Sequence, residues 1–256
     1  MADLMALRRR ILTGQPHIAT VQSGNVEYSA QIARFQTDMD TPLSGLTVTL
    51  PYKESGYSGL TLTACGKNLL RPKTGYGTET ISGVTYTVAD DYSITASGKA
   101  TSTSTYVISN AYKLPLGKYR VKIMTSQGSS STVHAYFNST DWGVYGDDYG
   151  SGVDLTIREA SINRILVYRI EVASGYTANN LRFEPSVNLL GDTGYEKYSG
   201  QEYTVTFPSI TSGTVDLLAG TVNGLSAFTP ISVTAKNGVN NIWTDAGTVS
   251  IKYWTH

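Results

Sequence analysis

The chain has 256 residues, 20 Lys plus Arg against 20 Asp plus Glu, and 16% charged residues, well under the ~25% usual for soluble domains. A formal net charge of zero gives no long-range field to draw in nucleic acid or an anionic membrane, and little repulsion between copies of the chain. No stretch approaches the ~20 consecutive apolar residues of a membrane span, and the single cysteine, Cys65, excludes an intrachain disulfide and a multi-cysteine zinc site.

The length suits two modest domains or one large β domain. With 18 Tyr, 25 Gly and abundant Thr, Ser and Val, the composition favours strands and turns. Residues 1–16, "MADLMALRRRILTGQP", predict a short helix from about Ala2 to Leu12, with Leu4, Leu7 and Ile11 at helical spacing and Gly14 and Pro16 ending it. Arg8, Arg9 and Arg10 interrupt the apolar run, so no secretion signal is read here. They make a solvated or partner-facing surface, and are candidate assembly residues, rather than a nucleic-acid site.

After Pro16 the period becomes two. "IATVQSGNVEYSAQIARF" predicts two strands around a turn at Ser23-Gly24-Asn25. Leu46, Val48 and Leu50, then Leu60 and Leu62, alternate with polar residues as half-buried strands require. From Lys67 a series of short strands follows, separated by Asp-Asp, Ser-Gly and Leu-Gly turns; such spacing predicts a sandwich or jelly roll. Strands at 165–172 and 181–187 belong to it, whereas 153–162 reads equally as a strand or a helical turn. A polar hinge at 190–208 leads into a meander punctuated by Asn223-Gly224 and Asn237-Gly238. The last stretch spends Trp243 and Trp254 on its closing turn and strand. No repeat of fixed period occurs, which argues against a solenoid or propeller.

Motifs for catalysis are sparse. His17, His134 and His256 stand apart in sequence, and nucleophile-elbow, Walker A, GxGxxG and HExxH patterns do not occur. The chain is therefore read as a non-enzyme with no cofactor. Asp90-Asp91 and Asp147-Asp148 are the densest acidic pairs. Flanking Gly, Tyr and Ser make turn capping the first reading, calcium coordination the second and a catalytic pair the third. The most suggestive stretch is "HAYFNSTDWGVYGDDYG" at 134–150. Its Tyr136, Trp142, Tyr145 and Tyr149 could stack on sugar rings, and Asp141 and Asp147 could accept from sugar hydroxyls. The alternative is that these rings pin a loop or meet a neighbouring subunit.

Several stretches resemble the minor structural proteins of tailed bacteriophages. "MALRRRIL" and "GLTLTACGKNLL" (59–70) are similar to the family's opening. "ISGVTYTVADDYSITASGKATSTSTYVI" (81–108) resembles its G-x-T-x-T-x-x-x-D-G-S-I-T-x-x-G-T-A segment, with Asp91-Tyr92 where that family has Asp-Gly. "NNLRFEPSVNLLGDTGYEKYSGQ" (179–201), "GTVDLLAGTV" (213–222) and "NNIWTDAGTVSIKYW" (240–254) look like its exit strand, closing hairpin and last strand. The resemblance implies an all-β chain: a discontinuous antiparallel scaffold of 17–66 and 202–256, carrying an inserted carbohydrate-binding-module-like jelly roll at 67–201. It implies a virion component assembled in the host cytoplasm, at the tail tip or baseplate. Its partners would be other virion proteins and further copies of itself, or, under a receptor-binding alternative, a host-surface polysaccharide, with no nucleic acid and no membrane insertion. Trp243 and Trp254 would lock the terminal strand into a sheet shared with the N-terminal strands or with an adjacent protomer.

Overall fold

The computed structural model describes residues 28–30, 32–73, 76–109, 113–141, 143–158, 164–244 and 246–253. The expected N-terminal helix with Arg8, Arg9 and Arg10, the turn at Ser23-Gly24-Asn25, Trp142 and Trp254 lie outside these residues. All the described secondary structure is strand, and every described pairing is antiparallel. The chain divides into two compact units, one formed by 1–66 with 200–256 and the other by 67–199.

The first unit begins with β1 (Tyr28–Ala30), β2 (Ile32–Thr37), β3 (Thr41–Leu50) and β4 (Tyr57–Cys65). The second unit supplies β5 (Gly77–Ile81), β6 (Val84–Val88), β7 (Ile94–Lys99), β8 (Ser104–Val107) and β9 (Gly117–Met124). It continues with β10 (Val133–Ser139), β11 (Tyr145–Asp148), β12 (Val153–Ile157), β13 (Leu166–Val172) and β14 (Thr177–Leu189). The chain then returns to the first unit with β15 (Gln201–Ile210), β16 (Gly213–Asp216), β17 (Thr221–Val222), β18 (Leu225–Ser226), β19 (Thr234–Ala235), β20 (Gly238–Thr244) and β21 (Thr248–Tyr253).

In the first unit one sheet runs β1-β21-β3-β16-β17-β18 with β19 attached to β3, and the other runs β15-β4-β20-β2. Alternation explains the core. Leu46, Val48 and Leu50 on β3, Leu60 and Leu62 on β4, and Val249, Ile251 and Tyr253 on β21 all enter one apolar cluster. Phe35 stacks on Tyr253 with centroids 4.8 Å apart, joining the two sheets. Each such buried side chain contributes roughly 1.5–3 kcal/mol. Trp243 takes a different place. It is buried at 7% exposure, yet it pairs with Ile32 on the face of its sheet opposite Ile242, which is the core residue of that strand.

In the second unit a six-stranded sheet, β12-β9-β14-β7-β6-β5, faces a four-stranded sheet, β11-β10-β13-β8. Tyr86 of β6 stacks on Tyr106 of β8 at 4.8 Å across the interior. The fully buried Tyr119 donates its hydroxyl to Pro115 O at 2.6 Å, satisfying the polar tip of a core ring. The ambiguous 153–162 segment begins as strand β12. The Asp90-Asp91 turn is closed by Tyr92 N–H to Ala89 O at 2.9 Å, and Tyr92 itself holds φ +63°. A tyrosine thus adopts the left-handed backbone that glycine takes at no steric cost. Its ring packs on Tyr76 with centroids 5.2 Å apart.

Candidate functional site

The stretch 134–150 builds β10, the turn after it and β11. On β10, Val133, Ala135 and Phe137 point into the core, so His134, Tyr136 and Asn138 face outward. The same parity on β11 buries Asp148 and turns Tyr145 and Asp147 outward. On β13, buried Leu166, Tyr168, Ile170 and Val172 leave Arg169 and Glu171 on that outer face. Register then gathers them: Tyr136 lies opposite Asp147 on one side and Arg169 on the other, and His134 lies opposite Glu171.

The result is an aromatic face on the outside of the four-stranded sheet. The His134 ring lies 5.6 Å from Tyr136 and 5.4 Å from Tyr149, and Tyr136 lies 6.2 Å from Tyr145. The Arg169 guanidinium stands over the Tyr136 ring at 5.6 Å and donates to Asn138 Oδ1. The Tyr145 hydroxyl donates to Asp147 Oδ1 at 2.6 Å, and His134 Nε2 lies 3.6 Å from the same oxygen. Burial, then the hydrogen bond to Asp147, push the Tyr145 phenol well above its ordinary pKa, so it remains a proton donor. Burial, then the Asp147 charge, raise Tyr149 likewise. For Tyr136, burial outweighs the opposing pull of Arg169. Tyr145 is 50% exposed and Tyr149 38%, while His134 is nearly covered.

Of the residues expected from sequence, Tyr136, Tyr145, Tyr149 and Asp147 come together on this face. Asp141 does not. It closes the β10–β11 turn, accepting from Ser139 Oγ at 2.5 Å and Gly143 N–H at 3.1 Å, and pairs with Arg164 at 3.0 Å. The Ser139 hydrogen bond first, then Gly143, hold its carboxyl below the usual carboxylate range. From sequence, His134 is named only as an isolated histidine, and Arg169 and Glu171 not at all. The signal for them was the two-residue period of "VHAYFNS" and "LVYRIEV", but the cross-strand pairing that joins the two strands is not written in either.

One member of each acidic pair, Asp91 and Asp148, has its hydrogen bonds accounted for. Asp148 is 1% exposed and accepts Ile123 N–H and Met124 N–H on one oxygen, and Gly150 N–H and Gly152 N–H on the other, all at 2.7–2.9 Å. Asp91 accepts from Ser93 N–H and Ser93 Oγ, and pairs with Arg182 at 3.0 Å. Both are turn-capping carboxylates. Among the described residues no three His, Cys, Asp or Glu side chains converge as a metal site. No protein-family model, curated protein or solved structure matches the chain.

Proposed function

We propose that the chain is a structural protein of a bacteriophage virion, at the tail tip or baseplate. It assembles in several copies through its β units, and residues 67–201 form a jelly-roll module that carries its outward contacts. The likeness of 59–70, 81–108, 179–201, 213–222 and 240–254 to phage minor structural proteins supplies the particle context. The observation that supports a contact role is the aromatic face of β10, β11 and β13, with Tyr145 half exposed and its hydroxyl already held by Asp147. Rings fixed in advance by a hydrogen bond and an overlying guanidinium lose little side-chain freedom when a partner lands on them. Such pre-ordering suits a surface used in every copy of an assembly. Cross-linking mass spectrometry of purified particles tests this. The expected result is cross-links between copies of this chain and to tail-tip neighbours; particles that lack the chain would overturn the reading.

A second reading, receptor binding through a host-surface glycan, is favoured by one feature: the solvent-exposed Tyr145 and Tyr149 side chains border the Asp147 carboxylate. Ring faces pack on the C–H surface of sugars while a carboxylate accepts from their hydroxyls. Single-site binding would be weak, with repetition on the particle adding on the order of 10²–10⁴ in avidity. Under this reading, Tyr145→Ala with Tyr149→Ala abolishes adsorption to host cells and leaves particle assembly intact. Unchanged adsorption counts decisively against it.

A further inference from the structure

The six-stranded sheet of the second unit carries a separate feature on its outer face, a groove of about 600 Å³ across β12, β9 and β14. Parity sets its floor. Tyr119, Val121 and Ile123 enter the core, so Arg120 and Lys122 project outward. Leu155, Val187 and Leu189 likewise turn Asp154, Ser186 and Asn188 to the outside. Register places Asp154 and Asn188 on either side of Arg120, and Ser186 beside Lys122. The floor thus offers a polar group at each strand spacing, ~4.8 Å apart.

Both walls are built in advance. One is the 149–152 loop, pinned by Gly150 N–H and Gly152 N–H to buried Asp148, itself tied to β9 by Ile123 N–H and Met124 N–H, and from above by Arg120 donating to Ser151 O. The other is the 190–195 loop. It is held by Asp192 N–H to Leu189 O at 3.0 Å, by Lys67 Nζ donating to Thr193 O at 3.0 Å, and by the Tyr195 hydroxyl donating to Asp91 O.

The lining decides the ligand class. Arg120 and Lys122 are matched by Asp154, Glu184 and Asp192, so an anionic chain meets as much repulsion as attraction. Arg120 is paired with Asp154 at 2.7 Å and Glu184 with Arg182 at 3.1 Å. Lys122 is exposed and forms no ion pair among the described residues. The apolar side chains on the lining are Met124, Leu190 and the Tyr195 ring, set among a larger number of polar and charged residues, so the groove mixes apolar surface with hydrogen-bonding groups. Its polar groups alternate donors and acceptors, which hydroxyls satisfy because each one both donates and accepts, and its apolar surface suits the C–H face of a sugar ring. We infer that this groove is a second binding site, distinct from the aromatic face, for an uncharged polyhydroxylated chain such as a neutral oligosaccharide. Lys122 supplies a donor from its floor, and the 149–152 and 190–195 loops supply its walls. The site rests on neither reading of the aromatic face.

The test uses the full chain against an immobilised panel of neutral and uronate-bearing hexasaccharides, followed by titration calorimetry with the best neutral member. Binding to at least one neutral hexasaccharide is expected. Lys122→Ala should weaken it roughly tenfold, the order of one hydrogen bond to a charged group. Asp154→Asn, which frees Arg120 from its ion pair, should also alter the affinity. Circular dichroism checks that both exposed-site variants keep the fold. Failure to bind any neutral hexasaccharide, binding confined to uronates, or full binding by Lys122→Ala would each overturn the inference. So would a loss that follows Tyr145→Ala, since it would place the sugar on the aromatic face.

Discussion

Neighbouring residues of one type can have unrelated roles, and Asp147 and Asp148 show it. Strand parity sends Asp147 out to Tyr145 and His134, and sends Asp148 into the interior, where four backbone N–H groups surround it. Asp148→Asn would turn an amide donor toward two of these N–H groups. A cost of about 3–5 kcal/mol is expected from breaking a buried charged network, read as a lower urea midpoint. A change under about 1 kcal/mol would mean that the loop is held by other contacts. Asp91 and Asp141 lead to a pH prediction. Hydrogen bonds from Ser93 depress Asp91, with Arg182 assisting, and those from Ser139 and Gly143 depress Asp141. A carboxylate with a lowered folded pKa adds stability above its unfolded value, about 3.9, and loses it as pH falls through the folded value. Urea midpoints should therefore hold from neutral pH to about 4 and decline below it. Asp91→Asn should make that acid decline shallower. An identical acid limb in wild type and variant would refute the assignment.

At the scale of strands and turns, local chemistry was legible where a turn needs only its own residues. Asn223-Gly224 forms a two-residue hairpin loop between paired Val222 and Leu225, with φ of +50° and +80°, the twist that Asn-Gly supplies. Ser97-Gly98 looks equivalent in sequence but lies inside β7. There Gly98 holds φ +119° because its backbone passes directly over the Gly83 carbonyl, next to an irregularity in the β14 pairing. That approach joins a residue of β7 to the turn between β5 and β6, so no local pattern announces it. Asn237-Gly238 differs again: β19 pairs with β3 and β20 with β2 and β4, so it turns a corner from one sheet to the other. The aromatic face divides in the same way. Tyr136, Tyr145 and Tyr149 were visible as a cluster in sequence, whereas Arg169 and Glu171 join it only through the β10–β13 register. The two glycines give a test of this account. Gly98→Ala would drive a Cβ into the Gly83 carbonyl oxygen, at a cost of about 3 kcal/mol or more. Gly224→Ala meets no atom within 4 Å and should cost only about 1 kcal/mol, for its left-handed backbone alone. Equal losses in thermal unfolding would show that backbone conformation, not the close approach, sets the cost at Gly98.

For the whole molecule, the order of strands in the sheets governs what can fold without what. Every pairing of β5 to β14 closes within 67–199. This unit has its own interior, with Tyr86, Tyr119, Phe137, Tyr168 and Phe183 fully buried. The first unit is assembled differently. β21 lies between β1 and β3, and β20 lies between β4 and β2, so strands from the last part of the sequence sit inside both sheets rather than at their edges. Deleting residues 238–253 would split each sheet and remove Ile242, Val249, Ile251 and Tyr253 from the core. At roughly 1.5–3 kcal/mol for each buried side chain, the loss is on the order of the entire 5–15 kcal/mol margin of a typical domain. It would also expose new strand edges to pairing with other chains. A chain ending at Asn237 should therefore lose protection from proteolysis across 32–66 and 201–235 and become prone to aggregation. Residues 67–199 should remain a protease-resistant core, and should unfold cooperatively when expressed alone. If 67–199 were digested as fast as the flanks, in the truncated chain or in isolation, its stability would depend on the first unit, and strand connectivity would be a poor guide to how this protein folds.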